Sequence, residues 1–362
     1  MKKILYIASE AAPGMIPFAV SIINTIARIP DYEVHCICVS TKKMEYEGRI
    51  CAQAHPWYLQ NPHNIFAKAI YKFWPIKIIN AINKKRKQVQ PDILHFLTGD
   101  FTLALYLRLF ADDSFYYTVH DLYPHEINTQ CIKDRIIHEL IVKGYKQCRD
   151  TIKNLTTSSQ KQIEELNKMY VGKHIEYTNF PTLVNKDIIR GKTKVPELEG
   201  IGKYILFFGS VNKYKGVDML IEAFSTIDDK HGTKLVIAGK GKINNNISNV
   251  DVIIINRFID DSELKCLFEK SVLVVYPYLS ATMSGVLSIA YYFKKRMLLS
   301  NIPFFLEYAS EDVDYFNNGD VSDLRNKLIE ILSSDISHSK GWYYEKYYGE
   351  LSIIDSYKKL YK

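Results

Sequence analysis

The feature that most narrows the fold is an alternation of short apolar runs with segments of helical periodicity, which occurs as two successive series. The first opens with KKILYIASE, passes a Gly/Pro loop around Pro13 and Gly14, and continues as the apolar-periodic FAVSIINTIARI. Further apolar runs follow at residues 32–40 (YEVHCICVS), 92–98 (DILHFLT), 114–120 (SFYYTVH) and 151–159 (TIKNLTTSS). After the polar, lysine-rich stretch 185–202 the series restarts as KYILFFG, KLVIAGKG, DVIIINRFI, SVLVVYPY and RMLLS. Strands so continuously apolar are buried on both faces, as parallel sheets covered by helices require. The sequence therefore predicts an α/β protein with two Rossmann-like domains, residues 1–190 and 191–342, facing each other across a cleft where ligands meet the carboxyl ends of the strands. The aromatic tail from Gly341 has helical spacing. It packs either on the second domain or, as a helix over about 343–362, back on the first.

Composition sets further bounds. With 362 residues, 47% hydrophobic and 24% charged, the chain has globular make-up and length for two cores. Its net charge of +7 arises in the first 190 residues, which hold 25 Lys/Arg against 18 Asp/Glu, whereas the remainder holds 22 of each. No helix-turn-helix, zinc-finger or RNP-like signature accompanies the surplus, so an anionic membrane surface or acidic acceptor is the expected partner and nucleic acid is not. Residues 56–90 interleave Trp57, Tyr58, Phe66, Tyr71, Phe73 and Trp74 with lysines and end near KKRK. That mixture fits either a membrane interface serving a lipid-linked acceptor or a core helix broken at Pro75 followed by a solvated basic turn. The uncharged stretch 271–293 is long enough to span a bilayer, but Pro277 and LSATMSG place a loop in its middle, which predicts strand, loop and buried helix. The six cysteines follow no C-x-x-C spacing and no signal region opens the chain, so reduced thiols in a cytoplasmic protein, peripheral on the inner face of the membrane, are expected.

Several words fall at predicted strand ends: TVHDLYPHE (118–126), GSVNKYKGVDMLIEAF (209–224), VIAGKG (236–241), INRFIDDSELKCLF (255–268) and YPYLSATMSGVLSIAYYF (276–293). Together they resemble the retaining glycosyltransferases of family 4, which have the GT-B fold, in the branch with HD-x-x-PH and SAT-x-SG segments. The resemblance implies transfer of a sugar from a nucleotide-sugar donor with retention of configuration. It implies no cofactor, since the nucleotide sugar, UDP- or GDP-linked, is a substrate. Negative charge grows on the departing phosphate, so the enzyme must place a cation or N–H donors there. No D-x-D falls at a strand end that would hold a metal, Asp312-Val313-Asp314 being peripheral, so a protein-supplied clamp is expected. Lys215, just before Gly216 at a helix start, is the candidate clamp and Lys213 a second contact, with Ser210 and Asn212 in the same turn. In the loop from Thr282 to Gly285, hydroxyls of Thr282 and Ser284 and backbone N–H groups face the donor.

The resemblance places His120 near the transferred sugar, where its carbonyl or ring stabilises positive charge at the anomeric carbon. Glu10, Gly14, Asp121, His125 and Glu126 fall on the acceptor side. The sequence departs from the family in three places. It lacks the arginine that follows the glycine of Gly209-Ser210 or lies near Asn212, it has Ala281 and Ile289 where many relatives carry two glutamates, and an early Gly-Gly pair is missing. These losses keep open an alternative, a weak or inactive homologue acting as a partner subunit. A nucleotide-dependent oxidoreductase or epimerase would need a third glycine after AGKGK (238–242), and none arrives before Asn244.

Overall fold

The structure, a computed structural model, describes all residues except 10–14, 41–45, 61–74, 99–102, 123–131, 244–249, 282, 310–312 and 335–341. Residues 2–9, apolar from Ile4 to Ala8 and buried from Ile4 to Ser9, form the first strand because both of its faces are covered. This strand, β1 (Lys2–Ser9), is joined by β2 (Tyr32–Ser40), β3 (Pro56–Gln60), β4 (Ile93–Phe96), β5 (Phe115–Thr118), β6 (Asn154–Thr157) and β7 (His174–Tyr177). They make one parallel sheet in the order β3-β2-β1-β4-β5-β6-β7. A second parallel sheet, β10-β9-β8-β11-β12-β13, contains β8 (Tyr204–Phe208), β9 (Lys234–Ala238), β10 (Val252–Ile255), β11 (Ser271–Tyr276), β12 (Met297–Ser300) and β13 (Val313–Phe316). Strand order reverses between β1 and β4 in the first sheet and between β8 and β11 in the second. Loops leaving a sheet at such a reversal diverge to opposite faces and leave a crevice at the carboxyl ends of the strands.

One compact unit consists of Met1–Pro181 with Glu350–Lys362, the other of Thr182–Gly349. Residues 182–190, counted with the first domain on sequence, pack with the second. Asn185 caps the helix Lys186–Arg190, which lies on the helix Asp261–Glu269, and a Cβ on Gly191 would come within 2.4 Å of the Ser262 carbonyl oxygen. The C-terminal tail divides: the helix Trp342–Tyr348 belongs to the second unit and the helix Glu350–Leu360 to the first, where it packs on the helix Ile16–Ile26. Within residues 271–293, β11 (Ser271–Tyr276) and the buried helix Val286–Tyr292 are separate elements and not one continuous helix, as expected. Among the described residues no helix is long and apolar enough to cross a membrane. Cys36, Cys38, Cys51, Cys148 and Cys266 are free thiols, and Cys131 lies outside the described residues.

The tail is fastened by a polar cluster inside the first unit. His95, fully buried on β4, has Nδ1 2.5 Å from the Tyr361 hydroxyl and Nε2 2.8 Å from Thr118 Oγ1, and Tyr361 donates to Tyr6 at 3.0 Å. Lys2 Nζ donates to the carbonyl oxygens of Tyr361 and Lys362. A neutral imidazole suits this position, since one nitrogen donates and the other accepts. Burial holds its pKa down at about 3, against an ordinary value of 6.5. The unfolded chain therefore binds the extra proton first as pH falls below 6.5, so this contribution to stability is complete above that pH and drains away toward pH 3. Wild type is expected to lose about 2 kcal/mol more than His95→Gln on going from pH 7 to pH 5. Urea midpoints at the two pH values check this, and equal losses in both proteins would refute the assignment.

Candidate functional site

In the second unit the loops leaving β8, β9 and β11 are held against one another by their backbones. Gly209 N–H donates to Ala238 O at 3.0 Å and Val211 N–H to Lys240 O at 2.9 Å, a parallel bridge joining Val211 to Gly241. Two glycines allow this approach: a Cβ on Gly239 would lie 1.9 Å from the Gly209 carbonyl oxygen, and one on Gly241 2.0 Å from that of Val211. The AGKG glycines thus let the β8 loop dock on the β9 loop. On the other side, Leu279 N–H donates to Tyr214 O at 2.7 Å, and Gly216, at φ 65°, brings its Cα so close to Pro277 that a Cβ would meet the Pro277 carbonyl oxygen at 2.0 Å.

Lys215 sits between these two contacts. The short turn Lys213–Lys215 ends at left-handed Gly216, which starts the helix Val217–Ser225, and this geometry folds the Lys215 side chain inward until the residue is only 7% exposed. Its ammonium lies 5.1 Å from the ring centre of Tyr278 and 5.9 Å from that of Tyr214. Among the described residues no carboxylate pairs with it, and burial pushes its pKa below the ordinary lysine value. A Cβ placed on Gly209 would lie 3.2 Å from Lys215 Nζ, 3.8 Å from Val286 Cγ1 and 3.9 Å from the Tyr278 hydroxyl. Gly209, at the strand-order reversal between β8 and β11, thus has no side chain of its own between its backbone and a neighbouring cation and phenol.

The remaining donor-side candidates differ in exposure. Ser210, Asn212 and Lys213 are exposed, with Asn212 Nδ2 donating to Ser210 Oγ at 3.1 Å. Ser284 is half-buried, and Gly285 is packed against Leu183, whose Cδ1 would be 2.1 Å from an added Cβ. Thr282 lies outside the described residues. Ile289, which stands where many relatives carry the second glutamate, is buried. Of the peripheral D-x-D, Asp314 on β13 is paired with Arg296 at 2.7 Å, and Asp312 is outside the described residues. Among the described residues no cluster of three or more His, Cys, Asp or Glu side chains could hold a metal ion.

In the first unit, Ser9 and Thr98 join the ends of β1 and β4 across the strand-order reversal, with Ser9 N–H donating to Thr98 Oγ1 at 2.7 Å and Thr98 Oγ1 to Ser9 O at 2.8 Å. His120 follows β5 two residues beyond its end. Its Nε2–H donates to Leu97 O at 2.6 Å, and its ring meets Phe18 edge to face at 4.7 Å. That bond fixes the tautomer, leaving Nδ1 as a buried acceptor with no hydrogen-bond partner among the described residues. Burial lowers the His120 pKa, so the ring is held neutral. The His120 carbonyl accepts from Gln162 Nε2 at 3.0 Å. Asp121 is half-buried beside it; Glu10, Gly14, His125 and Glu126 lie outside the described residues.

Sequence reasoning missed Tyr278 and Tyr214 beside Lys215. The signal was the aromatic pair flanking Pro277 in an uncharged run, which reads as core.

Solved structures share this architecture at low sequence identity. HepE of Anabaena, crystallised in complex with UDP and glucose, matches with a TM-score of 0.70 at 12% identity, covering 99% of each chain. A glycosyltransferase from Rickettsia africae ESF-5 matches with a TM-score of 0.69 at 14% identity, over 100% of this chain and 98% of that one. The UDP-GlcNAc 2-epimerase of Methanocaldococcus jannaschii matches with a TM-score of 0.60 at 13% identity, over 100% of both. Transferases and epimerases alike have this two-domain, Rossmann-like GT-B fold, so the likeness shows the fold and leaves the reaction to the site. No curated protein matches the chain by sequence. Residues 202–334, the part of the chain that carries Gly209, Lys215 and Tyr278, match the family of glycosyl transferases group 1.

Proposed function

We propose that this protein is a retaining glycosyltransferase that moves a sugar from a nucleotide-sugar donor to a glycan or lipid-linked acceptor, without a catalytic metal. The observation that carries the reading is Lys215, a residue 7% exposed whose ammonium is paired with no carboxylate among the described residues, beside Gly209 where strand order reverses. A buried cation without a counter-charge is costly, and it persists where an anion arrives to complete it. A diphosphate supplies that anion, and as the sugar departs its growing charge is met by a cation already in place. The match of residues 202–334 to glycosyl transferases group 1 favours transfer over epimerisation on the same fold. His120 serves the sugar side, its Nδ1 taking a hydrogen bond from a substrate hydroxyl. Ser210, Asn212, Lys213, Gly216, Thr282, Ser284 and Gly285 complete the donor side; Glu10, Gly14, Asp121 and His125 serve the acceptor.

Assembly of a cell-surface polysaccharide or glycolipid at the inner face of the membrane fits the basic surface of the helix Ile76–Val89, on which Lys77, Lys84 and Lys87 are exposed. The test is calorimetric titration of UDP, GDP and their sugars in EDTA, with co-sedimentation on anionic and neutral vesicles as its second arm. One nucleotide is expected to bind in EDTA, and the protein to follow the anionic vesicles. If well-folded protein binds none of the nucleotides, the donor site is not functional and the partner-subunit reading takes its place. Equal indifference to both vesicles would remove the membrane contact alone.

A further inference from the structure

Gly209 faces a second polar group besides the Lys215 ammonium. Tyr278 is completely buried, yet its hydroxyl has no hydrogen-bond partner among the described residues. The surrounding contacts are aromatic: Tyr276 at 5.7 Å, Phe305 at 5.2 Å and Tyr214 at 6.2 Å between ring centres. Its backbone is fixed as well, since Ser300 Oγ donates to the Tyr278 carbonyl at 2.5 Å and Leu279 N–H to Tyr214 O at 2.7 Å. Burial raises the pKa of the phenol and the neighbouring Ser284 hydroxyl offsets this in part, although the two do not meet in hydrogen-bonding geometry. A phenol buried at this depth ordinarily finds a partner, because an unmade buried hydrogen bond sacrifices the solvation of the group. The hydroxyl is 3.9 Å, and Lys215 Nζ 3.2 Å, from the same point, the position a Gly209 Cβ would take.

We propose that Tyr278 is a donor-binding residue whose hydroxyl donates a hydrogen bond to the leaving phosphate of the nucleoside diphosphate, beside the Lys215 ammonium, while its ring face holds that ammonium in place. This rests on the donor-site reading above and adds to it the group that takes up part of the work of the absent arginine. The two functions of the side chain are separable: phenylalanine keeps the ring and removes the hydroxyl. Because the hydroxyl has no hydrogen-bond partner among the described residues, its loss in the free protein is expected to remove a burial penalty and no bond.

The experiment compares wild type, Tyr278→Phe and Lys215→Met by calorimetry with UDP, GDP and ADP and with the corresponding monophosphates, alongside thermal melts. For the nucleotide that wild type prefers, Tyr278→Phe is expected to bind the diphosphate about 10- to 100-fold more weakly, as loss of a hydrogen bond to a charged group implies. Its monophosphate affinity should stay within about twofold of wild type and its melting temperature should not fall. Diphosphate affinity unchanged in Tyr278→Phe but lost in Lys215→Met would overturn the role of Tyr278 and leave the donor site standing. A parallel loss of mono- and diphosphate affinity with a lowered melting temperature would mark Tyr278 as structural, which also overturns it. If wild type binds no nucleotide, the donor site itself fails and this inference falls with it.

Discussion

Replacing Lys215 with methionine is expected to raise stability while lowering turnover by about 10²- to 10³-fold, the usual cost of removing one group aimed at developing charge. The two effects have a single cause. In the free protein Lys215 is 7% exposed, and its ammonium faces the rings of Tyr214 and Tyr278 and has no carboxylate partner among the described residues. Cation–π contact returns about 1–2 kcal/mol, less than the several kcal/mol that burying an unpaired ion costs. Methionine fills a similar volume without charge, so the denaturation midpoint should rise by an equivalent of about 1–2 kcal/mol. A structural lysine would behave oppositely, its loss lowering stability and leaving nucleotide affinity intact. Chemical denaturation and nucleotide titration of the same two preparations decide between them. A Lys215→Met protein that is less stable, or that binds the diphosphate like wild type, would end the case for this residue as the phosphate clamp.

The burial that makes Lys215 informative was not legible in the sequence, although its position was. KYKG after an apolar run locates a lysine at a helix start, and the structure puts it there, but periodicity does not show that Gly216 adopts φ 65° and turns the side chain inward. The central strands were legible for a simple reason: β1, β2, β8, β9 and β11 are covered on both faces and therefore read as continuous apolar runs. The strands that escaped, β3, β7 and β13, stand at sheet edges. There, one flank faces solvent and the sequences PWYLQ, HIEY and VDYF mix polar with apolar residues, which matches no strong template. Tyr278 escaped for a different reason. A tyrosine in an uncharged run looks like core, and it is core by burial; what distinguishes it is a hydroxyl beside Lys215 with no hydrogen-bond partner among the described residues, and that is a property of the packed structure.

The glycines of the site support the largest stability prediction. Gly216→Ala is expected to destabilise the protein by roughly 3–5 kcal/mol, at the high end for a single substitution. Two costs combine. A left-handed backbone at φ 65° costs an alanine about 1–2 kcal/mol, and the added Cβ would lie 2.0 Å from the Pro277 carbonyl oxygen, a distance that forces the two loops apart. Gly200 separates the contributions, because it has φ 74° but no atom within 4 Å of where a Cβ would stand, so Gly200→Ala should cost only about 1 kcal/mol. Separation of the loops strains the Leu279-to-Tyr214 hydrogen bond, which ties the Lys215 turn to the loop carrying Tyr278. Whatever Gly216→Ala protein remains folded should therefore bind nucleotide more weakly than Gly200→Ala. Urea denaturation of both variants tests the contact directly. Equal costs at the two positions would mean that backbone conformation alone explains Gly216 and that the approach of Pro277 does not organise the site.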